Sequence, residues 1–343
     1  MSWAIWITGL PGSGTSALAR TAAETLRERG VPATVLELDT IRKILTPTPT
    51  HSDPEREALY RVLAFMAATL AAAGVPVIVD ATAHRRRWRQ FARDLIPHFA
   101  EVELESPRVD RDYERAPAPE LHVDTSADSV ASGAEKIATL AERLGAESSA
   151  ARPRDDGWAI WITGRPGSGK TTIARRVATA LAARGVRPWI VEADALRRLV
   201  WPVAGENLDD LVHRAVACLA KLLVDAGIAV IVDATAHKRR WRELGRELIP
   251  RFAEIQLACP PEICAERERA GRWRLTGGAL GVSAPAASVD IDLILDYEPA
   301  LCPELTIYTD VQDCATAVDD VLFVAERLHR PVVSHQEGKP PCE

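Results

Sequence analysis

Aromatic residues are scarce, 5% of a 343-residue chain, methionine occurs twice, and no cysteine precedes Cys218. The six cysteines, at 218, 259, 264, 302, 314 and 342, include no Cys-x-x-Cys pair. That spacing excludes the dense disulfide framework of a small secreted domain and the clustered ligands of a zinc site, so the thiols are expected to be reduced, in a cytoplasmic protein. No apolar run approaches the roughly 20 residues of a membrane helix. The start, MSWAIWITGLPG, lacks the basic and apolar regions of an export signal, and none is expected. Positive charge is not in excess either: 42 Lys and Arg stand against 48 Asp and Glu, a net −6. Coating of nucleic acid or of an anionic membrane is thereby disfavoured, and neither is expected as a partner. What remains, 47% hydrophobic and 26% charged, is ordinary globular composition. At about 100–200 residues per domain, the length predicts two domains.

The chain repeats itself. Trp3-Ala-Ile-Trp-Ile-Thr-Gly9 returns 155 residues on as Trp158-Ala-Ile-Trp-Ile-Thr-Gly164. Val-Ile-Val-Asp-Ala-Thr-Ala-His ends at His84 and, 153 on, at His237, while Ala-Glu-Arg-Leu ends at Leu144 and, 184 on, at Leu328. The late jump in offset marks a block between Leu257 and Tyr297 that only the second copy carries. Its Gly, Ala and Ser content reads as a mobile loop or lid. Domains are expected over 1–147 and 157–330, joined by a small polar linker at 148–156 and followed by a flexible tail, 331–343.

In the second copy, continuous apolar runs predict strands at Trp158–Thr163, Trp189–Glu192, Ile228–Asp233, Glu254–Ala258 and Leu305–Tyr308. Helix-period segments predict helices at Thr171–Arg184, Asp209–Ala226, His237–Leu248, Pro261–Arg269 and Cys314–Leu328. Ile/Val-rich strands alternating with helices imply an α/β fold for each copy, a parallel sheet with helices on both faces. Trp3, Trp6, Trp158 and Trp161 are expected in the core.

Gly164-Arg165-Pro166-Gly167-Ser168-Gly169-Lys170-Thr171 fits G-x-x-x-x-G-K-[ST] between a strand and a helix, the context that a phosphate-binding loop requires. Glycines let successive N–H groups turn inward around phosphate oxygens, and the helix N-terminus adds partial positive charge. Gly164 to Thr172 are therefore the candidate ATP-binding residues. Lys170 is expected to meet the β/γ-phosphates, and the Thr171 hydroxyl to hold Mg²⁺. The first copy reads Gly9-Leu-Pro-Gly12-Ser13-Gly14-Thr15-Ser16. Thr15 for lysine keeps the loop shape and removes the charge, so this domain is expected to be a degenerate copy that binds nucleotide weakly or only packs against the second.

Asp194, after the second strand, stands at the rim where open α/β sheets bind ligands. It is a candidate to accept a substrate proton or to order a metal-bound water, and Arg197 and Arg214 are candidates to clamp a substrate anion. The plainer alternative for Asp194 and Arg197 is a helix-capping carboxylate followed by a surface arginine. Asp233, ending the third strand, reads as a metal-shell carboxylate, with capping of the next helix as its alternative. His237 reads as a helix-start residue. The run Lys238-Arg-Arg-Trp-Arg242, matched at Arg85–Arg89, reads as the solvated face of a helix whose Trp is buried. Of the lid arginines 267, 269, 272 and 274, Arg267 is chosen to close over transferring phosphates.

GRPGSGKTT, the strand-end EADALR, AKLLVDAG, CPPEICAER and DYEPALCPEL together resemble the adenylylsulfate (APS) kinase family across nearly the whole second copy. The resemblance implies two tandem P-loop kinase domains, the first lacking the lysine and the lid. It implies phosphorylation of the 3′-hydroxyl of APS with MgATP, a step of sulfate activation. Phosphate binding would fall at Gly164–Thr172, the acidic role at Asp194, a substrate contact at Arg197 and a lid arginine at Arg267. It also implies pairing, as a homodimer or as an internal pseudo-dimer of the two copies. The sequence departs from the family at Asp233-Ala-Thr-Ala, where Ile-Ser-Pro is usual. It departs again at Asp209 and Val212, where the family has Arg and Asn, and in lacking Lys-Gly-Leu-Tyr and a lid Phe. Two alternatives stay open: a kinase for another hydroxyl (a nucleoside or secondary metabolite) and a nucleotide-binding scaffold with little turnover.

Overall fold

The computed structural model describes residues 2–105, 112–146, 157–201, 203, 208–276 and 296–329, with 271–276 described as backbone only. The chain divides into two compact units, Met1–Pro153 with Leu196–Leu211, and Arg154–Ala195 with Val212–Glu343. The expected linker and tail, and residues 277–295 of the expected lid, lie outside the described residues.

The first repeat runs β1 (Ala4–Gly9), α1 (Thr15–Glu28), β2 (Thr34–Glu37), α2 (Leu38–Leu45), α3 (Asp53–Ala72), β3 (Val77–Asp80), α4 (Arg86–Leu95), β4 (Phe99–Glu105), β5 (Leu121–Asp124) and α5 (Val130–Ala146). The second runs β6 (Ala159–Gly164), α6 (Lys170–Ala183), β7 (Trp189–Glu192), α7 (Ala193–Val200), α8 (Leu208–Asp225), β8 (Val230–Asp233), α9 (Arg239–Leu248), β9 (Phe252–Ala258), α10 (Pro261–Thr276), β10 (Leu305–Tyr308) and α11 (Cys314–His329). Both sheets are parallel and five-stranded, ordered β2-β3-β1-β4-β5 and, equivalently, β7-β8-β6-β9-β10.

Alternation along the central strand covers both faces of each sheet. Trp158, Ile160 and Ile162 join α6 and α11 in one buried cluster, as Trp3, Ile5 and Ile7 join α1 and α5. Trp6 and Trp161 point the other way, Trp6 towards Tyr60 of α3 and Trp161 against Gly245 of α9. All four tryptophans are buried, as expected. The predicted strands and helices are present with boundaries shifted by a few residues, and Gly185 ends α6 in the left-handed region (φ 86°). The structure adds α7, a helix that follows β7 directly and for which no range was predicted, although helix capping was one reading of Asp194.

Two expectations are overturned. Arg242, read as part of a solvated face, is wholly buried. Its Nε donates to Glu254 at 2.6 Å, and its other nitrogens donate to the carbonyls of Ala236 and Glu298. Ala236 has a positive φ of 41°, a conformation that costs a non-glycine residue roughly 1–3 kcal/mol and persists only where surroundings enforce it. The guanidinium thus clamps the turn that follows β8. Arg89 repeats this arrangement with Glu101 at 2.5 Å and the carbonyls of Ala83 and Glu114. The thiols are not all reduced either: Cys302 is disulfide-bonded, whereas Cys218, Cys259, Cys264 and Cys314 are free.

Candidate active site

The C-terminal ends of β6 and β8 face each other in register, with Ile162 opposite Asp233. β6 runs directly into the glycine loop, and the loop into α6. Gly164, Gly167 and Gly169 have φ of 154°, 78° and 97°, values that L side chains rarely adopt. A Cβ on Gly167 would lie 2.3 Å from the carbonyl oxygen of Cys264 in α10, and one on Gly164 would lie 2.7 Å from that of Leu257. Only glycine fits this path, and the loop it traces leaves the Ser168 hydroxyl buried without a hydrogen-bond partner. These features suit a loop whose polar groups await phosphate oxygens.

Gly167→Ala is accordingly expected to weaken MgATP binding about tenfold, because a left-handed Ala costs ~1–2 kcal/mol and the loop must also move. Titration calorimetry on the two proteins checks this; unchanged affinity would mean that the loop does not hold the nucleotide.

Lys170, the first residue of α6, folds back on the loop and donates to the carbonyls of Gly164 at 3.1 Å and Arg165 at 3.0 Å. Burial pulls its pKa below the usual lysine value, and the charges of Asp233, Asp194 and Glu268 partly restore it. Thr171 Oγ1 donates to Asp233 Oδ2 at 2.6 Å. Burial pushes the Asp233 carboxyl above the usual range, Thr171 and Lys170 offset part of that rise, and Glu192 and Asp194 add to it. A hydroxyl and a carboxylate paired beside an ammonium, with further carboxylates in electrostatic reach, form a donor set suited to a hard divalent cation. Asp194 itself is exposed, in the first turn of α7.

Other candidates are engaged elsewhere. Arg197 pairs with Asp209 at the start of α8, and Arg214 is half-buried on α8. Arg267 donates to Thr309 O at 2.7 Å and approaches Thr309 Oγ1 and Cys259 Sγ, so it ties α10 to the segment after β10. Thr172 is exposed, and His237 is buried edge-on against Trp241. Two participants escaped the sequence reading. Glu268 acts on Lys170 from α10, although only the arginines of that stretch attracted notice. The Tyr297 ring is approached by the guanidiniums of Arg165 and Arg242, 5.4 and 5.3 Å from its centroid.

The first repeat builds the same cradle without the ammonium. Gly12 and Gly14 have φ of 78° and 94°. The hydroxyls of Ser16 and Thr15 face Asp80, and their hydrogen bonding offsets part of the rise that burial imposes on its pKa.

The profile of the adenylylsulphate kinase family matches residues 1–117 and 156–278, well over half of the chain and part of each repeat. The chain belongs to the adenylylsulphate kinase family. Membership accounts for both repeats at once, the lysine-free first one included. Among relatives, the probable adenylyl-sulfate kinase of Archaeoglobus fulgidus is 32% identical over 45% of this chain and 97% of its own length. The adenylyl-sulfate kinase of Thermodesulfovibrio yellowstonii is 32% identical over 49% of this chain and 84% of its own. Each of these relatives therefore corresponds to about half of this chain. Among solved structures, a cysteine-to-alanine variant of the Mycobacterium tuberculosis APS kinase is 31% identical, covers 41% of this chain and 97% of its own, and has a TM-score of 0.37. No helix among the described residues is long and apolar enough to cross a membrane.

Proposed function

We propose that the second repeat transfers the γ-phosphoryl group of MgATP to a hydroxyl of a small acceptor, with the 3′-hydroxyl of adenylyl sulfate as the first candidate. The observation that carries this reading is the Thr171–Asp233 pair at 2.6 Å beside Lys170 inside the glycine loop. Family membership and the names of the relatives point the same way. In this reading the loop N–H groups and the α6 N-terminus bind the phosphates. The Lys170 ammonium leaves its carbonyl partners to meet negative charge developing on the transferred group. Thr171 and Asp233 would hold Mg²⁺, with Asp194 nearby, and the ion when bound neutralises phosphate charge. Asp194 is assigned to accept the proton of the attacking hydroxyl. With Thr15 in place of lysine, the first repeat carries out no transfer. ADP formation on addition of adenylyl sulfate to the purified chain and MgATP tests the assignment; no adenylyl-sulfate-dependent ADP would refute that acceptor.

A second reading rests on one ion pair. Arg197, the residue assigned to a substrate anion, already has a carboxylate partner in Asp209. An acceptor with less negative charge than adenylyl sulfate would fit that arrangement. A panel of neutral alcohols and nucleosides in the same assay decides between the two.

The raised pKa of Asp233 sets a pH dependence. A carboxyl raised in the fold takes up its proton at higher pH than a free aspartate, so its metal-binding form is lost early as the medium turns acid. Magnesium-dependent ATP affinity should fall on the acid side of neutrality in the wild type. In Asp233→Asn affinity should be low and nearly flat with pH. Parallel profiles for the two proteins would contradict the role.

A further inference from the structure

The unit built around the first repeat contains more of the chain than that repeat. Residues 196–211, most of α7 and the start of α8, belong to it, whereas Lys170, Thr171 and Asp233 belong to the other unit. Within it, Arg61 of α3 donates from Nη1 to the carbonyl of Leu199, in the last turn of α7, at 3.2 Å. Carbonyls at the end of a helix have no partner inside it, and a cation there is favoured both as a donor and by the helix dipole. The neighbouring carbonyls are closed locally: that of Arg197 accepts the Trp201 N–H at 2.8 Å, and that of Val200 the Val203 N–H at 3.0 Å. The Leu199 carbonyl is met instead from α3, 138 residues away in sequence.

The guanidinium is fixed in place. Its Nε pairs with Glu57, one turn back on α3, at 3.3 Å, and it stands 4.9 Å from the centroid of the Phe91 ring of α4. Glu57 is held in turn by the Trp88 indole N–H at 2.6 Å and by Arg87 at 2.7 Å. Helix α7 is eight residues long, too short to be stable by itself, so its geometry depends on what it packs against. Leu196 and Val200, one turn apart, are wholly buried, and Arg61 closes the end. Arg197 lies on this stretch, two residues before the capped carbonyl.

We propose that Arg61, from the repeat that lacks the loop lysine, is a positioning residue for the reaction of the second repeat: it caps α7 and so keeps Arg197 placed for the anionic group of the acceptor. The lysine-free repeat thereby has a task that needs no nucleotide. Among the described residues Arg61 meets Leu199, Glu57 and Phe91, none of which belongs to the glycine loop or the Thr171–Asp233 pair. Its loss therefore weakens use of the acceptor and spares use of MgATP. The inference rests on the assignment of Arg197 to the anion of adenylyl sulfate made above.

Two measurements on the full chain test it. Arg61→Met keeps the apolar stem and removes the donors, while Arg61→Lys keeps a cation; in both, Glu57 retains Trp88 and Arg87. In amide hydrogen exchange, α7 of Arg61→Met should exchange about tenfold faster than in the wild type, the loss of one charge-assisted hydrogen bond. Strand β6 and helix α6 should exchange as before, and Arg61→Lys should recover most of the protection of α7. In steady-state assays of Arg61→Met, the KM for adenylyl sulfate should rise about tenfold and that for MgATP should stay within about twofold, with Arg61→Lys close to the wild type. General loss of folding would instead speed exchange throughout and lower turnover without splitting the two constants. With an active wild type, unchanged α7 exchange or an unchanged KM for adenylyl sulfate in Arg61→Met overturns this inference alone. A wild type that forms no adenylyl-sulfate-dependent ADP refutes the acceptor and this inference with it.

Discussion

Replacing Lys170 by alanine is expected to lower turnover about 10²–10³-fold, the loss seen when one preorganised donor to developing transition-state charge is removed. The fold should survive. Among the described residues the ammonium makes two hydrogen bonds, both to carbonyls of its own loop, and it is held where burial opposes its charge. A steady-state assay beside a melting curve separates the two effects, with turnover collapsing at nearly constant Tm. Thr15→Lys in the first repeat should not restore transfer on its own, since that repeat also lacks the segment between β9 and β10 that carries Glu268.

The largest effect on stability is expected at Arg242. Changing it to Met leaves the buried Glu254 charge with only its longer 3.5 Å contact to Arg246 and frees the Ala236 turn. Breaking a buried pair by removing one partner costs about 3–5 kcal/mol, roughly 6–20 °C in Tm for a unit of this size. Turnover measured well below the melting point should fall less than the stability implies, because the hydrogen bonds of Arg242 go to Glu254, Ala236 and Glu298 and not to Lys170, Thr171 or Asp233. The double variant Arg242→Met/Glu254→Leu should recover much of the loss, since replacing both partners removes the uncompensated charge. If the single variant melts with the wild type, Arg242 is not the clamp described. Arg89→Met, leaving Glu101, should behave alike in the first repeat.

The sequence made some of this legible and hid the rest for identifiable reasons. The loop from Gly164 to Thr171 was readable because its chemistry needs fixed spacing along a continuous stretch, and Asp233 because an acid ending an Ile/Val strand has few other places to go. The reversal at Arg242 has a different origin. A run of five residues with four cations reads as surface unless its partner is known. That partner, Glu254, lies on the strand after this helix, and its trace is a carboxylate in the otherwise apolar start of β9, mirrored by Glu101 in β4. The pairing of Arg197 with Asp209 was invisible because it joins residues of two different helices, twelve apart in sequence, which no helical or strand spacing brings together. Arg267 was chosen for its charge alone, and its partners Thr309 and Cys259 come from strand ends that only the folded sheet brings beside α10. Helix α7 was missed because EADALR was read for its charges and not for its length.

The central claim is that one loop, around Lys170, takes up magnesium nucleotide for transfer. Its most direct test is calorimetric titration of the full chain with a non-hydrolysable ATP analogue, with and without magnesium, in wild type and Lys170→Ala. Magnesium-dependent binding by the wild type that is lost or greatly weakened in the variant is the predicted result. Equal binding by both proteins, or none by the wild type, would contradict it.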